Sequence, residues 1–145
     1  MTVAEQSNVV VVDTMVISAI IDAHRNPDRA VAYEALIAGR SAVVSFVTVT
    51  ELRCGALRAG WGDLRRRTLE RDLARLVVAQ PDDEVILACA SLRDRCHRAG
   101  QGLGQKLHEA DRWVTATAIA YDVPLVSDDA IFRDVAGLTV LSTRS

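Results

Sequence analysis

The segment "NVVVVDTMVI" (residues 8–17) does most to limit what this chain can fold into. Four consecutive β-branched residues read as a strand covered on both faces, as strands are inside a parallel sheet. The strand stops on a carboxylate, Asp13, and the chain turns apolar again at once. An aspartate in this position either caps the following helix or lies at the carboxyl edge of a parallel sheet, where α/β proteins bind ligands.

The rest of the chain alternates in the same way. Helices are expected over about 15–23 and 28–39, a strand over 41–46, and a helix over 48–59 that runs to Gly60. Residues 63–78 read as one amphipathic helix, with Leu69, Leu73, Leu76 and Val77 on a single stripe. After Pro81 another helix begins with acidic residues, which suit its dipole, and ends at Gly100. "GQGLGQ" (100–105) is glycine-rich, but it follows no strand and precedes no Gly-Lys pair, so it is not read as a phosphate cradle. A helix over 108–122, a short strand over 123–127, a turn of helix over 129–135 and a last strand over 138–141 complete the pattern. Strands separated by helices imply βαβ units with right-handed crossovers. The expected fold class is therefore α/β, a three-layer α/β/α arrangement around a central, mainly parallel sheet, in one domain spanning residues 1–145.

No apolar run approaches the roughly 20 residues of a membrane span, and "MTVAEQSN" lacks the basic and apolar regions of a signal peptide. A soluble, cytoplasmic protein is expected. Cys54, Cys89 and Cys96 form no metal or redox pattern and read as small buried thiols. The net charge of −2 argues against a general nucleic-acid coat, yet 12 of the 17 basic residues fall between Arg53 and Arg112. Taken alone, that stretch reads as solvated helix faces.

Asp13 has acidic company. Asp128 and Asp129 follow a strand as Asp13 does, Glu51 opens the helix after the second strand, and Asp111 lies early in an otherwise apolar helix. Each alone is explained as a helix cap or first-turn acid. Together they would meet at one edge of one sheet, where like charges raise one another's pKa. Two charges 4 Å apart repel by about 4 kcal/mol at an effective dielectric of about 20. A divalent cation removes that penalty, and oxygen ligands without a histidine or cysteine pattern favour Mg²⁺ or Mn²⁺ over zinc. Such a centre activates water for phosphodiester hydrolysis.

The segments "VVVDTMVI", "SFVTVTELRCGAL", "ADRWVTATAIAYDVPLVSDDAIF" and "GLTVL" resemble the motifs of the PIN-domain family, most closely the VapC toxins of bacterial toxin–antitoxin modules. The resemblance covers residues 9–141. It implies a metal-dependent endoribonuclease that cleaves tRNA or ribosomal RNA loops, stops translation and is neutralised by a VapB-like antitoxin. The family's first acid falls on Asp13 and its neighbouring hydroxyl on Thr14. The threonine and glutamate of the second motif fall on Thr48 and Glu51, and the third acid falls on Asp111. The fourth is Asp129 in the register set by Phe132, with Ser127 at the family's threonine and Asp128 as an extra carboxylate competing for the role. Asp13, Asp111 and Asp129 would hold Mg²⁺ or Mn²⁺, with Glu51 as a further ligand or as the base that orients water. The helices around 48–78 would form a homodimer contact and the antitoxin groove.

Thr14, Lys106, His108, Arg112 and Asp128 are candidates for substrate contacts. His108 precedes Asp111 by one helical turn, and Lys106 and Arg112 could contact phosphates. Trp113 reads as core, and Trp61 as a turn residue packed locally or at an interface. A phosphotransfer domain with an aspartate after strand one would need a second aspartate where Met15 stands. The remaining alternative is a non-catalytic α/β interaction module with a structural metal site.

Overall fold

The computed structural model describes residues 8–144. Five strands form one sheet: β1 (Val9–Val12), β2 (Ser41–Ser45), β3 (Val77–Ala79), β4 (Leu125–Val126) and β5 (Val140–Leu141). Their order is β3-β2-β1-β4-β5, and every neighbouring pair is parallel. The helices are α1 (Thr14–Ile21), α2 (Pro27–Ile37), α3 (Phe46–Arg58), α4 (Asp63–Ala74), α5 (Asp83–Arg98) and α6 (Glu109–Ala120). Single 3₁₀ turns occupy Gly102–Gly104, Lys106–His108 and Ala130–Phe132. Helices cover both faces of the sheet, the expected three-layer α/β arrangement.

The four valines of β1 divide between the two faces, because successive strand residues point to opposite sides. Val10 and Val12 pack with Val16, Ile17, Tyr33, Val44 and Val126, while Val11 packs with Val114, Ala118, Leu125 and Phe132. Burying a valine contributes about 1.5 kcal/mol or more, so both faces of this strand anchor the layers.

Sheet order fixes where a ligand can bind. From β1 the chain builds outward to β2 and β3, then crosses to β4 and β5 on the other side of β1. The direction of winding reverses between β1 and β4, and the carboxyl ends of strands at such a reversal flank a crevice. Val12 pairs with Val126, so Asp13 and Ser127, the next residue of each strand, leave the sheet side by side. The backbone N–H of Asp13 donates to the Val126 carbonyl at 3.1 Å, which ties the two ends together.

Three expectations need correcting. The helix expected over 63–78 ends at Ala74, and Val77–Ala79 is instead β3, paired with Val43, Val44 and Ser45 of β2. Leu69 and Leu73 are buried as the stripe requires, but Val77 is 60% exposed at the sheet edge. The β-branched Val77–Val78 pair extends the sheet, where it gains ladder hydrogen bonds. The helix expected from 48 starts at Phe46, because the Ser45 hydroxyl accepts from the Val47 N–H and caps it. Of the three cysteines, Cys89 and Cys96 are buried on α5, whereas Cys54 is exposed. Trp113 packs edge-on against Phe46, with ring centroids 5.3 Å apart. Trp61 is half-buried beneath the Arg65 guanidinium, 3.6 Å from its ring centroid.

Candidate active site

Asp13 is both an N-cap and a member of a ligand edge. Its Oδ1 accepts from the Thr14 N–H at 2.8 Å, and its Oδ2 accepts from the Ser127 hydroxyl at 2.8 Å. Only 6% of the residue is exposed. Burial raises its carboxyl from 3.8 to about 6, the bonds from Ser127 and Thr14 oppose the rise, and the charges of Asp111 and Asp129 add to it. Those two carboxylates are thus close enough to act on Asp13 from α6 and from the segment after β4.

Ser127 joins two of the acids. While its hydroxyl donates to Asp13, the same oxygen accepts from the Asp129 N–H at 3.1 Å. Asp129 in turn caps the following 3₁₀ turn by accepting from the Ile131 N–H at 3.0 Å. Glu51 is reached through Thr14, whose hydroxyl donates to Glu51 Oε1 at 2.8 Å and lies 3.0 Å from the Thr48 hydroxyl. Thr48 is fully buried, so it holds Thr14 from the core side. Asp111 sits in the first turn of α6 with its Oδ2 3.1 Å from His108 Nδ1. Among the described residues, no arginine or lysine forms an ion pair with Asp13, Glu51, Asp111 or Asp129.

Two candidate substrate residues face elsewhere. Asp128 accepts from the Tyr33 hydroxyl at 3.0 Å, from the Thr143 N–H at 2.8 Å, and from the hydroxyls of Ser142 and Thr143. Burial alone would raise its carboxyl, but these bonds together hold it well below the usual carboxylate range. It fastens the segment after β5 to α2, and Asp129 is the neighbour whose charge acts on Asp13. Arg112 is 2% exposed, and its guanidinium donates to the carbonyls of Leu103, at 3.0 Å, and Gln105. A buried group with both carbonyls as partners is not available to a phosphate. Lys106 is exposed, and His108 is half-buried beside Asp111.

Sequence reasoning gave Ser127 no role beyond filling a motif position, and it missed Tyr33 altogether. Ser127 was detectable as the residue after β4, level with Asp13. Tyr33 carried no local signal, because its partner lies 95 residues away.

The oxygen-only donor set suits a hard divalent cation in kind. The rise at Asp13 is chiefly the effect of burial, and the charges of Asp111 and Asp129 add to it. Among the described residues no three acidic, histidine or cysteine side chains form a closed cage. Asp111 and Asp129, each held by a neighbouring group, would have to turn inward to complete one.

A family model described as "PIN domain" matches residues 10–138. No relative was found among curated proteins. Among solved structures, a chain of VapBC2 from Rickettsia felis, bound to a fragment of promoter DNA, superposes with a TM-score of 0.76. The two are 19% identical over 92% of this chain and 98% of that one. A chain of VapBC-5 from Mycobacterium tuberculosis, a member of the VapBC family of toxin–antitoxin systems, is 26% identical, with a TM-score of 0.69 over 93% and 98% of the two chains. FitAcB from Neisseria gonorrhoeae gives 22% identity and 0.70 over 92% and 97%.

Proposed function

From the premise that this chain belongs to the PIN-domain family, we propose that it is a metal-dependent endoribonuclease, the VapC-type toxin of a toxin–antitoxin pair. The observation that carries this reading is the buried Asp13 carboxylate at the β1/β4 reversal. One serine hydroxyl bonds it to the Asp129 segment, and burial first, then the charges of Asp111 and Asp129, raise its pKa.

Asp13, Asp111 and Asp129 would hold Mg²⁺ or Mn²⁺. When bound, the ion lowers the pKa of water and offsets charge on the phosphate. Ser127 keeps Asp13 and Asp129 in fixed relation, and Asp111 would turn from His108 toward them. Thr14 holds Glu51 toward the centre, where Glu51 takes the proton from the attacking water as its oxygen bonds to phosphorus. The bond from phosphorus to the leaving ribose oxygen then breaks. Loops of tRNA or ribosomal RNA are the proposed substrates, since unstacked bases are where proteins read RNA sequence.

The proposed partners are a VapB-like antitoxin and a second copy of the chain. A groove of about 510 Å³ runs from Thr14 and Glu51 past Ile21 and Leu52 to Trp61, so a bound antitoxin segment would reach Glu51 and its partner Thr14. No helix among the described residues is long and apolar enough to cross a membrane, and action in the cytoplasm is proposed.

The test is cleavage of purified tRNA and ribosomal RNA by wild type and by Asp13→Asn, each with Mg²⁺, Mn²⁺ or EDTA. Discrete cuts that disappear with the substitution or with EDTA are expected. Cuts that survive Asp13→Asn would move the chemistry elsewhere. No cutting by folded, antitoxin-free wild type in either metal would favour the non-catalytic interaction module.

A further inference from the structure

We propose that the cleft between α5 and the glycine-rich segment 102–106 binds the phosphodiester backbone of the RNA strand beside the scissile bond, through Arg93, His97 and Lys106. The proposal rests on the ribonuclease reading above and extends its substrate path.

The cleft has a volume of about 600 Å³, and its charged lining is Arg93, Asp94, His97 and Lys106. Asp94 is engaged by Arg98, with Nε 3.1 Å from its carboxylate. Among the described residues, Arg93, His97 and Lys106 form no ion pair and no side-chain hydrogen bond, so Arg93 and Lys106 bring positive charge without a paired carboxylate and the His97 ring is open to a hydrogen bond. The groove between α3 and α4 makes the contrast. It too contains arginines, but Arg53 is paired with Glu70 at 2.9 Å and Arg66 with Asp63 at 2.7 Å.

Basic residues in the last turn of a helix have a plain explanation, since they suit its dipole. That accounts for His97, Arg95 and Arg98. It does not account for Arg93, one turn earlier, or for Lys106, which arrives from a separate segment.

The cleft is built, and its wall is tied to the helix that carries Asp111. A Cβ on Gly104 would lie 2.5 Å from the His97 nitrogen and 2.8 Å from the Cys96 carbonyl carbon, so only glycine lets this segment seat against the α5 backbone. Leu103 packs with Leu92 and Cys96 of α5. From below, the buried Arg112 holds the carbonyls of Leu103 and Gln105. The segment is thereby fixed to α6, the helix that carries Asp111. Lys106 shares one 3₁₀ turn with His108, whose Nδ1 lies 3.1 Å from Asp111. On the proposed path, a strand with one phosphate at the acids would continue past Lys106 toward Arg93 and His97. A nucleic-acid strand fits better than an acidic peptide, because Lys106 lies two residues from His108, which contacts Asp111 of the centre where a phosphodiester is to be cut.

The test measures poly(U) binding by anisotropy in an Asp13→Asn background with Mg²⁺, over a range of salt concentrations. Arg93→Gln with Lys106→Gln is expected to weaken binding roughly tenfold. The salt dependence should become shallower by about 0.7 in log–log slope for each phosphate that is no longer neutralised. Arg93→Lys should restore most of the affinity. Arg71→Gln, the loss of one positive charge on α4, should leave binding unchanged. Unchanged affinity and slope in the double variant would overturn the proposal. So would an equal loss with Arg71→Gln, or competition by polyglutamate as strong as by poly(U), which would point to an acidic protein segment. The wild-type frame allows the two readings to fail separately. If wild type cuts tRNA and the double variant cuts it with the same KM, the cleft proposal falls and the nuclease stands. If wild type neither cuts tRNA nor binds poly(U), both fall.

Discussion

The Asp13 carboxyl is raised from 3.8 to about 6, first by burial and then by the charges of Asp111 and Asp129. The folded state therefore holds this proton more tightly than the unfolded chain does. Its contribution to stability is full below about pH 4 and is lost as pH rises through about 6. A shift of roughly two pKa units corresponds to about 3 kcal/mol. We therefore predict that Asp13→Asn, measured in EDTA by denaturant unfolding, is more stable than wild type near pH 7.5 by up to about 3 kcal/mol. The difference should shrink toward pH 4, and cleavage should be absent throughout. If the stability difference did not depend on pH, the Asp13 carboxylate would not be the strained group. Ser127→Ala is the complementary change. It removes the donor that stabilises ionised Asp13 and the acceptor of the Asp129 N–H, and the loss is expected to be about 1–3 kcal/mol. Cleavage should fall by at least tenfold, while Ser127→Thr, which keeps the hydroxyl, should retain most of it. The acids were legible in the sequence because strand ends and first helical turns are local features. The surroundings of Asp128 were not, because they come from Tyr33, Ser142 and Thr143, which reach it from α2 and from beyond β5.

At the scale of elements, periodicity located the helices well and failed where one element passes into another. Residues 63–78 carry an apolar stripe that runs on into Leu76 and Val77, and nothing local separates a continuing helix from a short strand. What separates them is the open edge of β2, whose residues Val43–Ser45 supply the ladder for Val77–Ala79. That edge exists only once the sheet is assembled. The segment 100–108 was similarly opaque. Its glycines read as a loop, yet Gly104 permits close packing on α5, and Arg112 in the next helix closes the arrangement from beneath. Arg112 was expected to face a phosphate, and its burial was hidden because an arginine in a first helical turn is usually exposed. Replacing Arg112 with Met would leave the Leu103 and Gln105 carbonyls without their donor. We predict a loss of about 2–4 kcal/mol in denaturant unfolding. Amide exchange should rise most in residues 102–108, because that segment loses its attachment to α6. Uniform exchange across the chain would show that Arg112 stabilises the fold without ordering this segment.

For the molecule as a whole, the parallel sheet and its reversal at β1/β4 bring acids from residues 13, 51, 111 and 129 toward one edge, although almost the full chain separates the first from the last. No lysine or arginine among the described residues pairs with them, and the proposed cation would supply the compensation. A ligand that binds only the folded state stabilises it by an amount set by its concentration relative to Kd, about 3 kcal/mol at a hundredfold excess over Kd. Melting wild type against Mn²⁺ or Mg²⁺ at pH 7.5 should therefore raise Tm progressively, by about 2–4 °C for each kcal/mol gained. Because Asp13 must lose its proton to serve as a ligand, the gain should weaken as pH falls through about 6. Asp13→Asn should lose most of the response at every pH, since it removes the buried charge that the ion offsets. A response that persisted in Asp13→Asn and did not vary with pH would place the ion outside the β1/β4 edge, and with it the hydrolytic chemistry proposed there.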